Sequence, residues 1–120
     1  MTKIINLTPH TITIVGEGNK FALNIEPSGK LARVTAVTET VGTITVKTDV
    51  NVLTTSFKVP ITTTRYGEVE GLPDPSPDTI YVVSSLVAGR VPDREDVFIP
   101  NESVRDEEGR IIGCRSLGHI

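Results

Sequence analysis

The stretch TIYVVSSLVAGRVP, residues 79–92, sets the fold class. Ile80-Tyr81-Val82-Val83 is an almost unbroken run of apolar, strand-forming residues, the pattern of a strand covered on both faces. Directly after it, Ser84 or Ser85 can cap a helix, Leu86, Val87 and Ala88 fill a turn, and Pro92 stops it. A helix over Ser84–Val91 is short, about two turns, and Gly89 weakens it.

Outward from this unit the chain reads as strands and turns. Toward the N-terminus, Lys3–Leu7 and Thr11–Val15 are strands separated by the Thr8-Pro9-His10 break, since proline cannot donate to a ladder. Gly16–Lys20 is a hairpin loop and Phe21–Ile25 its return strand. Glu26-Pro27-Ser28-Gly29 is a turn. Leu31–Val37, Glu39–Thr48 and Val50–Ile61 follow as strands, the last broken by Pro60, and Tyr66–Val69 is a further short one. Pro73–Asp78 is a stiff connection, because its prolines pre-set extended geometry. Toward the C-terminus, Val97–Ile99 is a strand ended by Pro100. Val104–Asp106 pairs with Arg110–Ile112 across a hairpin that places Gly109 in the left-handed region, and Gly113–Leu117 extends the last strand. Sixteen threonines, many beside valine or isoleucine, suit pleated, half-buried surfaces. The expectation is a mainly β domain: a small antiparallel sandwich or barrel of eight to ten short strands with one short helix.

At 120 residues the chain is the size of one domain, large enough for one modest core. Its single cysteine, Cys114, excludes an internal disulfide and fits a reducing, cytoplasmic setting. No apolar run approaches the length of a membrane span, so no membrane partner is expected. The net charge of −3 and only five aromatic side chains argue against binding long nucleic acid. Residues 61–120 carry six arginines, no lysine and eleven acids. Arginine presents a planar fork suited to carboxylate or phosphate, so these side chains either pair with neighbouring acids or grip an anionic ligand.

No catalytic constellation stands out. Gly16-Glu17-Gly18 lacks the third glycine and following helix of a dinucleotide fingerprint, and no phosphate-cradling loop or metalloprotease motif occurs. No cofactor and no metal is expected. Ser84 or Ser85 could be combined with His10 into a hydrolytic pair, although capping serines are far commoner. The better candidate is Arg65-Tyr66-Gly67, which combines a phosphate fork, a stacking face with a hydroxyl, and a glycine that permits close approach. The competing expectation is that Arg65 pairs with Glu68 or Glu70. Arg90 and Arg94 are further phosphate candidates, and His119, at the chain end, is expected to be mobile.

Asn6-Leu7-Thr8-Pro9-His10, Pro27-Ser28-Gly29, Thr64–Pro73, Tyr81-Val82-Val83-Ser84 and Val104–Arg110 together resemble a group of small proteins of phages, prophages and bacteria. The resemblance spans nearly the whole chain but names no chemistry. A phage origin brings viral anti-defence sponges into view, oligomers that hold nucleotide immune signals without cleaving them. On that reading the protein is a homo-oligomer in the host cytoplasm that binds a cyclic oligonucleotide or an ADP-ribose derivative. Arg65 with Arg90 or Arg94 would hold phosphates, Tyr66 would stack on a base beside Gly67, Ser84 or Ser85 would bond a ribose or phosphate, and His10 could meet the anion. The alternatives are a phage structural or protein-interaction module without a small-molecule ligand and, third, a small hydrolase.

Overall fold

In the computed structural model, residues 2–19, 22–50 and 53–120 are described. Lys20 and Phe21, read above as loop end and strand start, and Asn51 and Val52, in the long extended stretch, lie outside the described residues. The protein is mainly β, with eight strands in two sheets and one short α-helix among the described residues. It divides into two units, residues 1–34 with 68–120 and residues 35–67.

The first unit, the body, is built on six strands: β1 (Lys3–Asn6), β2 (Ile12–Val15), β3 (Ala22–Ile25), β6 (Thr79–Val82), β7 (Val97–Arg105) and β8 (Ile111–Gly118). Their order in the sheet is β1-β6-β7-β8-β2-β3. The pairing is mixed rather than purely antiparallel: β1–β6, β6–β7 and β2–β8 are parallel, β7–β8 and β2–β3 antiparallel. A parallel pair needs a crossover of a dozen or more residues, and the segment containing helix α1 (Ser85–Arg90) supplies it between β6 and β7. The two outer strands also meet. Asn6 forms an isolated bridge with Pro27, just beyond β3, and Asn6 O accepts from Ser28 N at 3.0 Å. The sheet therefore curls far enough for its two ends to touch, as in a small, incompletely closed barrel.

Strand β6 has the surroundings its apolar run demands. Val82 faces one side with Ile12 and Cys114, joined by Ile4, Ile14, Ile25 and Leu117. Tyr81 and Val83 face the other with Leu7, Val87, Ala88 and Val97. The two-residue alternation of a strand thus feeds two apolar clusters at once. Helix α1 covers the second cluster through Val87 and Ala88, while Leu86 is exposed. Ser84 is its N-cap, accepting from Val87 N at 3.4 Å.

Val97–Ile99 does not end at Pro100. Val97 and Phe98 pair with β6, whereas from Ile99 onward the strand pairs with β8, so Pro100 lies where β7 exchanges one partner for the other. The hairpin after β7 follows the expected chemistry. Gly109 has φ 83°, and Asp106 Oδ1 accepts from Glu108 N and Arg110 N, both at 2.9 Å.

The second unit is a two-stranded ribbon. Strand β4 runs over Arg33–Val50 and β5 over Leu53–Glu70, 18 residues each. Short strands were expected here; breaks at Thr38 and Pro60 do not occur. A ribbon leaves alternate backbone N–H groups of each strand outside the ladder, so a proline at such a position costs no bond. Thr38 and Thr64 join hydroxyls across it at 3.0 Å, and Thr35 Oγ1 lies where a Cβ on Gly67 would be, 2.2 Å away.

Candidate functional site

A pocket of about 510 Å³ opens in the body. One wall is Thr8, Pro9 and His10, the loop between β1 and β2, continued by Thr11, Ile12 and Thr13. Facing it are Val83 and Ser84, where β6 passes into α1. The remaining wall is Pro100, Ser103, Ile111 and Cys114 of β7 and β8. Such a volume falls within the range of small-molecule sites, roughly 300–1,000 Å³.

Asn6 fixes the first wall. It is almost fully buried, with 1% of its surface exposed. Its side-chain amide donates to His10 O at 2.7 Å and Ile25 O at 3.0 Å. Its carbonyl oxygen accepts from Thr8 N at 2.9 Å and from the Thr8 hydroxyl at 2.7 Å. Both donors and both lone-pair directions of the amide are thus used. The Asn6–His10 loop is an Asx turn tied to the end of β3, and it holds His10 at the pocket. Among the described residues no buried side-chain polar atom lacks a partner.

The lining is largely apolar with a few polar points. Thr11 bonds Glu26 at 3.0 Å and Thr13 bonds Asn24 at 2.8 Å, so both hydroxyls are engaged. Ser84 Oγ accepts from the helix cap and keeps its own proton to donate. His10 and Ser84 therefore line one pocket, as a ligand role requires, but no hydrogen bond joins them among the described residues. Ser85 is the exposed first residue of α1 and lies outside the lining.

The arginines lie elsewhere. None lines this pocket. Arg94 forks onto Asp96, with Nε to Oδ1 at 2.8 Å and Nη2 to Oδ2 at 2.9 Å, and Nη2 also reaches Pro73 O at 2.9 Å. The pair is mostly buried, with side-chain exposures of 22% and 18%. The hydrogen bond from Arg94 holds the Asp96 carboxyl below the usual carboxylate range, and the same bond raises Arg94. Arg94 is thus a clamp between two loops. The Tyr81 hydroxyl adds a second tie, donating to Asp74 O at 3.2 Å, so the Pro73–Asp78 connection is pinned as well as stiff. Arg115 donates to Val15 O and Gly16 O and to Asn19 Oδ1, closing the β2–β3 turn. Arg105 donates to Gly109 O, and Arg110 pairs with Asp106 and Glu108. Arg90 is the exposed last residue of α1.

Arg65-Tyr66-Gly67 belongs to the ribbon. Arg65 pairs not with Glu68 or Glu70 but with Glu39 across the strands, at 2.5 Å; Glu70 faces Arg33 instead, at 3.9 Å. The Arg65–Glu39 pair is exposed, and such pairs contribute little and exchange readily. Gly67 admits the Thr35 side chain, so its missing Cβ serves strand pairing. Tyr66 is about half exposed, at 48%. His119, expected to be mobile, is docked: its Nε2 lies 3.0 Å from Arg94 O and its ring meets Phe98 edge-on at 5.8 Å.

Composition alone did not mark Thr8, Pro9, Pro100, Ser103 or Ile111 as pocket residues. The signal was Asn6-Leu7-Thr8-Pro9-His10, whose asparagine two residues before a threonine is the mark of an Asx turn. Among the described residues no group of three or more metal-ligating side chains comes together, and no helix is long and apolar enough to cross a membrane. Comparison with protein-family models, with curated proteins and with solved structures finds no match.

Proposed function

We propose that the protein is a binding module that holds a nucleotide-derived ligand in the His10–Ser84 pocket and sequesters it without breaking a bond. The observation that carries this reading is the pocket itself: about 510 Å³, walled by apolar side chains, with His10 and Ser84 at its surface. Apolar walls suit the faces of a base and ribose, and a few fixed polar groups suit their edges. The charged form of His10 would meet an anionic group. Ser84 Oγ is bonded to Val87 N of the helix it caps rather than to a base, which favours a hydrogen-bonding role over a nucleophilic one. On this reading Arg94 stabilises the fold and does not touch the ligand. The candidate ligands are cyclic oligonucleotides and ADP-ribose derivatives, the class held by the phage anti-defence sponges that the resemblance to phage proteins brings into view.

Isothermal titration of the protein with a panel of cyclic dinucleotides, cyclic trinucleotides and cyclic ADP-ribose isomers tests the reading. Ser103→Trp, which places an indole in the pocket mouth, should weaken the binding of a responding ligand at least about tenfold, a loss of about 1.4 kcal/mol. Silence of the wild-type protein across the panel at micromolar concentration overturns the proposal. The second reading, a protein-interaction module, draws on the exposed apolar side chains of the ribbon.

A further inference from the structure

We infer that the β4–β5 ribbon is a dimerisation arm, whose apolar face packs antiparallel against the same face of a second copy of this chain. This rests on the ribbon alone and stands apart from the pocket reading.

The ribbon needs a cover. Of the residues 35–67 whose burial is described, only Val46 and Val59 are even partly buried, and a two-stranded ribbon is at best marginally stable alone in water. Strand alternation extends from the Glu39–Arg65 pair, which fixes one face. On β4 that face carries Val37, Glu39, Val41, Thr43, Thr45 and Lys47; on β5 it carries Thr55, Phe57, Val59, Ile61, Thr63 and Arg65. The apolar members are open to solvent: Val37 61%, Val41 62%, Phe57 49% and Ile61 40% exposed. With the axis placed at Thr43 below, about 15 residues of each strand overlap, a face about 50 Å by 10 Å, roughly 500 Å² per copy. Twice that is about 1,000 Å², the size at which biological interfaces begin.

The pattern on this face is complementary to itself. Glu39 and Lys47 lie four residues either side of Thr43, with opposite charges. Phe57 and Ile61 lie two residues either side of Val59. Thr35 opposite Gly67 and Thr38 opposite Thr64 set a cross-strand register that, continued, puts Thr43 opposite Val59. A twofold axis through Thr43 and Val59, perpendicular to the strands, would then set Glu39 against the second copy's lysine at position 47. The same axis sets Phe57 against that copy's isoleucine at position 61. A twofold interface needs this reciprocity, in which residue i meets j and j meets i.

The test is the oligomeric state by sedimentation and light scattering, with charge swaps. Wild-type protein is expected to be a dimer at micromolar concentration. Lys47→Glu sets like charges together twice per dimer and should raise the dissociation constant at least tenfold, and Glu39→Lys in the same chain should restore it. Ile61→Glu should give a monomer whose far-UV circular dichroism and melting temperature report an intact body. Thr43→Cys should be joined to its copy by a short bismaleimide, and Thr62→Cys, on the opposite face, should not; native Cys114 is buried and gives little background. A monomeric wild-type protein overturns the proposal. So does a dimer indifferent to both Lys47→Glu and Ile61→Glu, or one in which Thr62→Cys is crosslinked and Thr43→Cys is not.

Discussion

Replacing Asn6 by aspartate changes one NH₂ group to an oxygen and little else in shape. The NH₂ group donates to His10 O at 2.7 Å and to Ile25 O at 3.0 Å, in a residue with 1% of its surface exposed. In Asn6→Asp a carboxylate oxygen faces two carbonyl oxygens at those distances, while the bonds from Thr8 to the other oxygen survive. Leaving a buried polar group unsatisfied costs about 1–3 kcal/mol. The single Thr8 hydroxyl proton, 2.7 Å from the residue-6 oxygen and 3.1 Å from His10 O, cannot serve both, so the two losses together come to about 2–6 kcal/mol at neutral pH. With a urea m-value of about 1–3 kcal/mol/M, a loss of 3 kcal/mol lowers the denaturation midpoint by roughly 1–3 M. The sign with pH follows from burial. The introduced carboxyl has its folded-state pKa raised above the unfolded value of about 3.9. The deficit is therefore smallest below that value, where the neutral acid can donate one of the two bonds, and grows as pH rises through the raised pKa. Urea unfolding of both proteins at pH 4.5 and 7 measures it. A variant within 0.5 kcal/mol of wild type at pH 7, or a deficit that widens on acidification, would refute the role given to Asn6.

Three further outcomes follow from the fold. Asp96→Asn should cost about 1.5–3 kcal/mol at pH 7 by urea unfolding, the worth of a hydrogen bond to a charged group. Because the Asp96 pKa is depressed in the folded state, its contribution is present above the unfolded pKa of about 3.9 and is lost as pH falls through the lower folded value. Gly71→Ala should destabilise by more than about 2 kcal/mol, since the residue has φ 83° and an added Cβ would lie 2.1 Å from Leu31 O. Gly89→Ala should raise the melting temperature, gaining about 0.5–1 kcal/mol, because it lies in α1 with open space where the methyl would go.

What was legible in the chain was local. The apolar run before Ser84 gave a strand buried on both faces, and the serine cap with Pro92 gave the helix; both depend on neighbours within a few residues. The hairpin at Gly109 was legible for the same reason. The ribbon was not. Pro60 reads as a break unless the strand is known to be half of an isolated pair, and nothing near Pro60 says so. Parallel pairing was also hidden, because β1 meets β6 across more than half the chain. The site followed the same division. His10 and Ser84 could each be named, but it is the parallel register of β1 with β6, Asn6 beside Val82, that brings the loops after them to one pocket. The partners of the arginines were not legible, because many of them are carbonyl oxygens, of Pro73, Val15, Gly16 and Gly109, which no side-chain pattern reveals.

The central claim is that the pocket holds a nucleotide-derived ligand and returns it intact. The direct measurement is a capture-and-release assay. Each panel nucleotide is incubated with excess protein, the protein is removed by filtration, and the retained fraction is heated and analysed by mass spectrometry. The account predicts that at least one nucleotide is depleted from the filtrate and comes back unchanged in mass on heating, and that Ser103→Trp abolishes the depletion. Every nucleotide remaining in the filtrate, or a retained nucleotide returning as cleavage products, would contradict it.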